Sequence, residues 1–234
     1  MNIIITGASR GIGYELVKCF AVDKENRIVA LARSKDKLEM LDEEISAFNT
    51  AARFDFLNFD LAGDDYKDVL IPFIKEKLGF VDILVNNAGL LITKNFDQFT
   101  DEDFDRIFNV NVKSIFRLVR ELLPCFAAPS HIVNISSMGG VQGSSKFAGL
   151  SLYSASKGAL NVLTECLAEE LKENKISANA LALGAVQTEM LAEAFPGYNA
   201  PLQADEMASF IKDFALHGPR FFNGKVLPVS VSTP

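Results

Sequence analysis

The stretch NIIITGASRGIG, residues 2–13, joins a short apolar run to a turn that carries glycines at positions 7, 11 and 13. The residues that follow are amphipathic, so the pattern predicts a strand, a glycine-rich turn and a helix over residues 11–22. Backbone N–H groups in such a turn can approach a pyrophosphate closely, and the positive end of the helix dipole favours that anion. The stretch therefore predicts a nucleotide-binding turn rather than a merely structural one.

The same alternation of strand and helix patterns continues along the chain. Seven runs are short and apolar or β-branched, and the six intervals between them are long enough for helices. The predicted strands are NIIIT, RIVALA, ARFDFLNF, VDILVN, HIVNIS, ISANALAL and KVLPVS. Such a series predicts an α/β fold, with a parallel sheet of about seven strands flanked by helices on both faces.

The later intervals each carry a helical pattern. The predicted helices after the first lie at residues 36–48, 64–78, 99–126, 153–175 and 204–216. The pattern at 99–126 is the longest, and Thr100 with Asp103 three positions later is typical of a helix N-terminus. No repeat or Pro/Gly-rich linker divides the chain, so we expect a single domain over residues 1–234.

Composition narrows the class of partner. The 234 residues carry a formal net charge of -7 without any run of five like charges, so we expect no nucleic acid and no anionic membrane as a partner. The apolar runs are shorter than the roughly 18 residues that span a bilayer, and no signal peptide precedes the first strand, which predicts a cytoplasmic protein. Apolar faces on the predicted helices at 100–126 and 153–173 favour a homodimer or homotetramer.

Metal sites and hydrolytic triads are disfavoured. The chain has only two histidines, His131 and His217, and its three cysteines lie far apart. We therefore expect no metal and no disulfide framework. A Ser-His-Asp hydrolase is disfavoured because His131 begins a predicted buried strand and His217 is expected in a turn.

Two arginines bear on the choice of dinucleotide. Arg33 follows Gly13 by 20 residues, where a dinucleotide-binding fold has the residue that contacts the ribose 2′ position. An arginine there can pair with a 2′-phosphate, and Arg10 in the glycine turn could converge on the same group. The pair favours NADP(H) over NAD(H). One alternative stays open, that Arg33 only caps a strand end in solvent, and the nearby Asp36 weakens the case for a 2′-phosphate.

YSASK, residues 153–157, puts a phenol and an ammonium group on one face of a predicted helix. A cation near a phenol in a partly desolvated site favours the phenolate, so we expect a lowered pKa for Tyr153 and a general acid or base near neutral pH. Ser137 would lie at the carboxyl edge of the sheet, where ligands bind, and could hold a carbonyl oxygen. Taken singly, Tyr153 and Lys157 could be an ordinary exposed pair, and Ser137 an ordinary strand-end residue.

Five motifs occur in one order: TGASRGIG at 6–13, NNAG at 86–89, NVNV at 109–112, two serines at 136–137 and YSASK at 153–157. In order and approximate spacing they resemble the short-chain dehydrogenase/reductase superfamily, over essentially the whole chain. The chain looks most like the single-domain, NADP-using branch that includes 3-oxoacyl-[acyl-carrier-protein] reductases and carbonyl reductases. The resemblance implies a Rossmann-type doubly wound fold and an NADP(H)-dependent oxidoreductase that interconverts a ketone or aldehyde and an alcohol.

The resemblance also implies roles for individual residues. Tyr153 would give the proton to the carbonyl oxygen, Lys157 would lower the tyrosine pKa and bind the nicotinamide ribose, and Ser137 would position the substrate oxygen. Asn111 would hold a water in a proton relay. Simpler roles stay open for Asn87 in a turn, Asn111 in a helix and Asp60 as a cap. The residues expected to bind the cofactor are Gly7, Ser9, Arg10, Gly11, Ile12, Gly13, Arg33, Asp60, Leu61, Asn87, Ala88, Gly89, Tyr153, Lys157, Gly184, Val186 and Thr188.

Some features depart from the family pattern. Leu183 and Gly184 stand where the family usually has proline and glycine, and the segment 137–153 is slightly longer than usual. The substrate loop expected at about 188–204 is short, which predicts a more open pocket. The alternative function is a non-catalytic NADP(H)-binding regulatory or scaffolding protein. An epimerase or dehydratase of the extended branch is disfavoured, because the chain has little room for a further substrate domain.

Overall fold

The computed structural model describes residues 1–63 and 65–231, and most of their strands form one parallel sheet. The strands are β1 (Asn2–Thr6), β2 (Arg27–Ala32), β3 (Arg53–Asn58), β4 (Val81–Asn86), β5 (Phe126–Ser137), β6 (Ile176–Leu183), β7 (Val186–Gln187), β8 (Leu202–Gln203) and β9 (Val226–Val229). Seven of them form a sheet in the order β3-β2-β1-β4-β5-β6-β9, and β7 pairs with β8. The predicted parallel sheet of about seven strands is confirmed.

Helices cover both faces of this sheet. They are α1 (Gly11–Ala21), α2 (Lys35–Phe48), α3 (Ile71–Lys77), α4 (Asp101–Phe108), α5 (Ser114–Leu122), α6 (Ser151–Glu170), α7 (Glu189–Ala194) and α8 (Ala204–His217). Side chains alternate between the faces of a strand, so the three consecutive isoleucines of β1 serve two cores. Ile3 and Ile5 pack with α1, α2 and α8, whereas Ile4 packs with α3, α5 and α6.

The helix predicted at 99–126 is wrong as one uninterrupted helix. It consists of α4, a π-helical turn at Asn109–Lys113, α5 and a 3-10 turn at Leu123–Cys125. Its start is as predicted: the Thr100 hydroxyl accepts from the Asp103 N–H (3.2 Å), and the Asp103 carboxylate accepts from the Thr100 N–H (3.1 Å). The π turn matters because such turns occur often at functional sites.

Other boundaries also differ from the prediction. Position 64, where the third helix was expected to begin, lies outside the described residues, and a π turn at Tyr66–Leu70 precedes α3. His217 is not in a turn, because α8 continues to it and its Nδ1 contacts the carbonyl oxygen of Asp213 (3.1 Å). The short helix α7, within the expected substrate loop, was not predicted. In the part of the chain that the structure describes, every helix is too short or too polar to cross a membrane.

His131, in β5, lies in a buried hydrogen-bond network that joins β5 to β6, α8 and the segment before β9. Its Nδ1–H donates to the carbonyl oxygen of Ala215 (3.0 Å), and its Nε2 accepts from the side-chain amide of Asn179 (3.1 Å). The Asn179 amide also donates to the carbonyl oxygen of Phe222 and accepts from the Lys225 N–H (both 3.0 Å). Burial lowers the pKa of His131 to about 4, against the hydrogen bond to Ala215, so the imidazole is neutral at physiological pH.

This neutral imidazole should make the fold sensitive to acid. An unfolded histidine binds a proton near pH 6.5, whereas the folded His131 does so only near pH 4, so the free energy of unfolding should fall as the pH drops through this window. The loss should reach about 3 kcal/mol below this window. Urea unfolding at several pH values measures it, with His217→Gln at the exposed end of α8 as the control. A His131→Gln variant with the same pH slope as the wild-type protein would contradict this explanation.

Candidate active site

The glycine turn packs against the segment after β4 so closely that side chains are excluded at two positions. A Cβ atom on Gly7, which has a φ of +69°, would lie 2.7 Å from the Cα of Ala88. One on Gly13 would lie 2.4 Å from the side-chain nitrogen of Asn87. That nitrogen donates to the carbonyl oxygens of Thr6 and Gly7 (3.0 and 3.2 Å). The segment after β4 therefore supports one side of the glycine turn, and the opposite side remains open at the start of α1.

Thr6 is a supporting residue that the sequence analysis missed. Its hydroxyl accepts from the N–H groups of Asn87 and Ala88 (both 3.0 Å) and donates to the carbonyl oxygen of Val85 (3.4 Å). These bonds join the ends of β1 and β4, the two strands between which the strand order reverses. In open parallel sheets, ligands bind in the crevice at this point.

A cavity of about 860 Å³ lies over the carboxyl ends of the strands. All of the residues expected to bind a cofactor line it except Gly13, and Ser137, Tyr153 and Lys157 line it as well. Gly13 does not reach the cavity because it packs beneath the turn against Asn87. Asn111 also stands outside the cavity wall.

Ser137 and Tyr153 meet in this cavity, although 16 positions separate them in the sequence. Ser137 ends β5, where its hydroxyl accepts from the N–H of Gly139 (3.2 Å), and Tyr153 lies in the first turn of α6. Burial raises the pKa of Tyr153 to about 12, and a hydrogen bond with the Ser137 hydroxyl acts in the opposite direction. The phenol is therefore protonated in the free protein at neutral pH.

The ammonium group of Lys157 does not override this effect of burial. Its Nζ donates to the carbonyl oxygen of Ile135 (2.8 Å) and lies 5.8 Å from the centre of the Tyr153 ring. Lys157 is only 3% exposed, and burial lowers its own pKa to about 8. The prediction that Lys157 brings the Tyr153 pKa near neutrality is therefore wrong for the free protein, because desolvation of the phenolate outweighs a cation that is bound elsewhere.

Asn111 fixes the backbone beside the catalytic candidates. Its side chain accepts from the N–H of Leu90 (2.7 Å) and donates to the carbonyl oxygen of Leu90 and the hydroxyl of Ser156 (both 2.9 Å). A Cβ atom on Gly89 would lie 3.6 Å from Lys157 Nζ and 3.7 Å from Asn111 Oδ1. Lys157 Nζ and Asn111 Oδ1 therefore flank a space that a side chain at Gly89 would occupy.

The β1–β3 end of the cavity carries the charged candidates for the ribose 2′ position. Arg33 is exposed at the end of β2, and Asp60 follows β3, where its carboxylate accepts from the N–H of Ala62 (2.9 Å). Arg10 forms an ion pair with Glu193 of α7, with 3.1 Å between Nη1 and Oε1. The Arg10 and Glu193 side chains are 41% and 66% exposed, so solvent weakens this pair.

Apolar side chains that the sequence analysis did not single out line the same cavity as Tyr153. Phe147, before α6, and Phe195, after α7, have their ring centres 5.3 Å apart at an interplanar angle of 79°. Both line the cavity, as do residues in the loop after β4 and in α7. An aromatic residue in the longer 137–153 segment and another after the EMLAEA pattern were the available signals, but neither indicated that the two would meet. Within residues 1–63 and 65–231, no cluster of three or more His, Cys, Asp or Glu side chains could hold a metal ion.

Comparisons with known proteins agree with this architecture. The sequence matches the family described as short chain dehydrogenase over residues 1–199. It is 33% identical over 193 residues to carbonyl reductase [NADPH] 2 of Sus scrofa, which covers 81% of this chain and 73% of that protein. Its structure is similar to that of a short chain dehydrogenase from Burkholderia cenocepacia in complex with NADP, with a TM-score of 0.85, 27% identity and coverage of 97% and 95% of the two chains. The 3-ketoacyl-(acyl-carrier-protein) reductase from Brucella melitensis, complexed with NADH, gives a TM-score of 0.85 at 29% identity and covers 98% and 96%.

The fold and the cavity thus define a Rossmann-type α/β protein with a serine, a tyrosine and a lysine at the carboxyl edge of its sheet. The family match extends over most of the chain. The chain belongs to the short-chain dehydrogenase/reductase family, and it is an enzyme of the oxidoreductase class.

The raised pKa of Tyr153 can be tested in the free protein. At about pH 10.5, an ordinary phenol is largely ionised, whereas Tyr153 should still be protonated. Native wild-type protein and a Tyr153→Phe variant should therefore show the same rise in near-ultraviolet tyrosinate absorbance. In urea the two should differ by one tyrosine, which is the control. A smaller rise in the native variant would show that Tyr153 ionises normally.

Proposed function

We propose that the protein is an NADP(H)-dependent oxidoreductase that interconverts a ketone or aldehyde and an alcohol. The observation that carries the proposal is that the hydroxyls of Ser137 and Tyr153 meet in the cavity that also contains the glycine turn. A hydrogen-bonding group and a proton donor at one point are what the reduction of a carbonyl group requires.

The chain's residues fit a nicotinamide dinucleotide. The turn at 7–13 lines the cavity together with the N-terminus of α1, where backbone N–H groups and the helix dipole favour a pyrophosphate. Lys157 and Tyr153 would hold the nicotinamide ribose, and Val186 and Thr188 would lie along the carboxamide. When bound, the nicotinamide supplies the hydride in reduction and accepts it in oxidation.

Ser137 and Tyr153 would act on the oxygen atom of the substrate. The Ser137 hydroxyl would hold the carbonyl oxygen, and the Tyr153 hydroxyl would transfer its proton to that oxygen as the carbon atom is reduced. A phenol that stays protonated up to about pH 12 is prepared for this acid role. Lys157, with a pKa near 8, can exchange protons close to neutral pH, and a water beside Gly89 and Asn111 would link it to solvent.

Replacing the proposed acid tests this function. A Tyr153→Phe variant should lose turnover by at least about a hundredfold, because general acid catalysis contributes this much or more. It should still bind NADPH, since the glycine turn is unchanged. Stopped-flow NADPH oxidation and calorimetric NADPH binding provide the two readouts, with Tyr14→Phe in α1 as the matched control.

Wild-type rates in the Tyr153→Phe variant would refute the catalytic assignment. A result with the wild-type protein would instead favour the alternative function, a non-catalytic NADP(H)-binding protein. If the wild-type protein bound NADPH tightly but reduced no member of a broad carbonyl panel, a non-catalytic regulatory or scaffolding role would be the better explanation.

The proposed preference for NADP(H) rests on Arg10 and Arg33. Because Arg10 forms an ion pair with Glu193, the Glu193 carboxylate competes with a 2′-phosphate for Arg10. A 2′-phosphate on Arg10 would have to displace the Glu193 carboxylate, whereas a free ribose hydroxyl would not. An exposed ion pair contributes about 0.2 to 1 kcal/mol, so Glu193 should weaken NADP(H) binding modestly. The cofactor preference is thus set by three charged groups rather than two.

Removing the competing carboxylate should therefore strengthen the binding of one cofactor only. A Glu193→Gln variant should bind NADP⁺ about two- to fivefold more tightly and NAD⁺ equally well. Calorimetry with both cofactors measures this, and Glu170→Gln at the far end of α6 is the charge-matched control. An Arg10→Met variant should weaken only NADP⁺. If neither variant changed the ratio of the two affinities, the proposed role of Arg10 at the 2′-phosphate would be refuted.

We also propose a cytoplasmic homodimer or homotetramer. Phe104 in α4, Phe116 in α5 and Val162 in α6 are large apolar side chains on the helix faces that were expected to form the subunit contacts, and all three are exposed in the single chain. Their burial against a second copy would remove this apolar surface from water.

A further inference from the structure

The two ends of the cavity differ in chemistry. The carboxyl ends of β1, β2 and β3 carry the glycine turn, Arg33 and Asp60. Ser137 and Tyr153 lie on the other side of the β1–β4 boundary, at the end of β5 and the start of α6. We call this second half the reaction end, because the proposed proton donor belongs to it.

Most of the wall of the reaction end is apolar. Its side chains come from the loop after β4, from the segment between β5 and α6, and from α7 and the residue that follows it. We define the apolar wall as Leu91, Met138, Phe147, Leu150, Met190 and Phe195. All but Leu150 are only partly buried, so a ligand that covered them would remove apolar surface from water.

Phe147, before α6, and Phe195, after α7, join two sides of this wall into one aromatic corner. Their rings meet edge to face, an arrangement that aromatic pairs favour. The backbone behind each ring is fixed: the Lys94 N–H donates to the Gly149 carbonyl oxygen (3.2 Å), and the Thr188 hydroxyl caps α7 through the Leu191 N–H (3.2 Å). The corner therefore has a defined shape before any ligand arrives.

Three of the cations near this wall are bound to other groups. Lys157 donates to Ile135, Lys94 is paired with Asp103, and Lys146 donates to the carbonyl oxygen of Val141 (2.7 Å). A carboxylate or phosphate placed against the apolar wall away from Arg106 would thus lose its hydration without gaining a counter-ion, which is costly. Among the described residues, Arg106 in α4 is the remaining cation that lines the cavity outside its β1–β3 end, and its substitution therefore belongs in the test.

We infer that the substrates are uncharged carbonyl compounds that carry an aromatic or similarly bulky apolar group next to the carbonyl carbon. Phe147 and Phe195 are the residues that set this specificity, because their rings form the aromatic corner. The inference rests on the proposed function, since it assumes that the carbonyl oxygen lies between Ser137 and Tyr153.

Three related substrates separate the two parts of the inference. Methyl benzoylformate is neutral and aromatic, benzoylformate differs from it by a carboxylate in place of the ester, and methyl pyruvate has a methyl group in place of the ring. The kcat/KM of NADPH-dependent reduction should be at least about a hundredfold higher for methyl benzoylformate than for benzoylformate, because of the unpaired charge.

Substitutions at the aromatic corner test the residues themselves. Phe147→Ala and Phe195→Ala should each lower kcat/KM for methyl benzoylformate by about tenfold or more and change that for methyl pyruvate by less than about twofold. Phe48→Ala, at the exposed end of α2, is the matched control. Equal efficiency with the acid and the ester would overturn the inference, most directly if Arg106→Gln then abolished reduction of the acid.

A binding measurement distinguishes this inference from the proposed function. The alcohols that correspond to the ester and the acid, methyl mandelate and mandelate, can be titrated calorimetrically without any turnover. Preferential binding of methyl mandelate that is weakened in Phe147→Ala supports the apolar corner, whether or not any carbonyl compound is reduced. If no carbonyl compound were reduced, only the proposed function would be refuted. Equal binding of the two alcohols, or tighter binding of mandelate, would refute the inference whatever the activity.

Discussion

The contact between the glycine turn and the segment after β4 is the constraint on which the candidate site depends. The Thr6 hydroxyl accepts two backbone N–H groups from that segment, and the Asn87 amide returns two hydrogen bonds to the turn. A Cβ atom at Gly7 or Gly13 would push the two segments apart. The same packing sets the position of Gly89, and with it the space beside Lys157. Because the contact is made of backbone and small side chains, it cannot adapt to a larger residue.

Much of the fold was predictable because its signals are local. The apolar runs of β1, β2, β4 and β6 are almost entirely buried, and the separations between the strands leave room only for the crossovers of a parallel sheet. The π turn at Asn109–Lys113 was not predictable, because its residues suit an α-helix equally well. Helix α7 has six residues, too few to establish a helical period.

The site was predictable in its membership but not in its energetics. Motif spacing identified Ser137, Tyr153 and Lys157, and the structure brings all three to one cavity. Spacing could not reveal that the Lys157 ammonium donates to Ile135, 22 positions away, or that burial dominates the pKa of Tyr153. Gly13 and Asn111 belong to the supporting layer behind the cavity, a distinction that depends on packing depth rather than on residue type.

The end of helix α7 connects the two ends of the cavity through Glu193 and Phe195, which are two positions apart in the sequence. Glu193 pairs with Arg10 of the glycine turn, and Phe195 packs on Phe147 at the reaction end. Only two peptide units separate these contacts along the chain. If a ligand on Arg10 displaced Glu193 and thereby shifted Phe195, thermodynamic linkage would make the influence of each end on the other equal in both directions. Cofactor and substrate would not be independent ligands of this protein, even though they touch different walls.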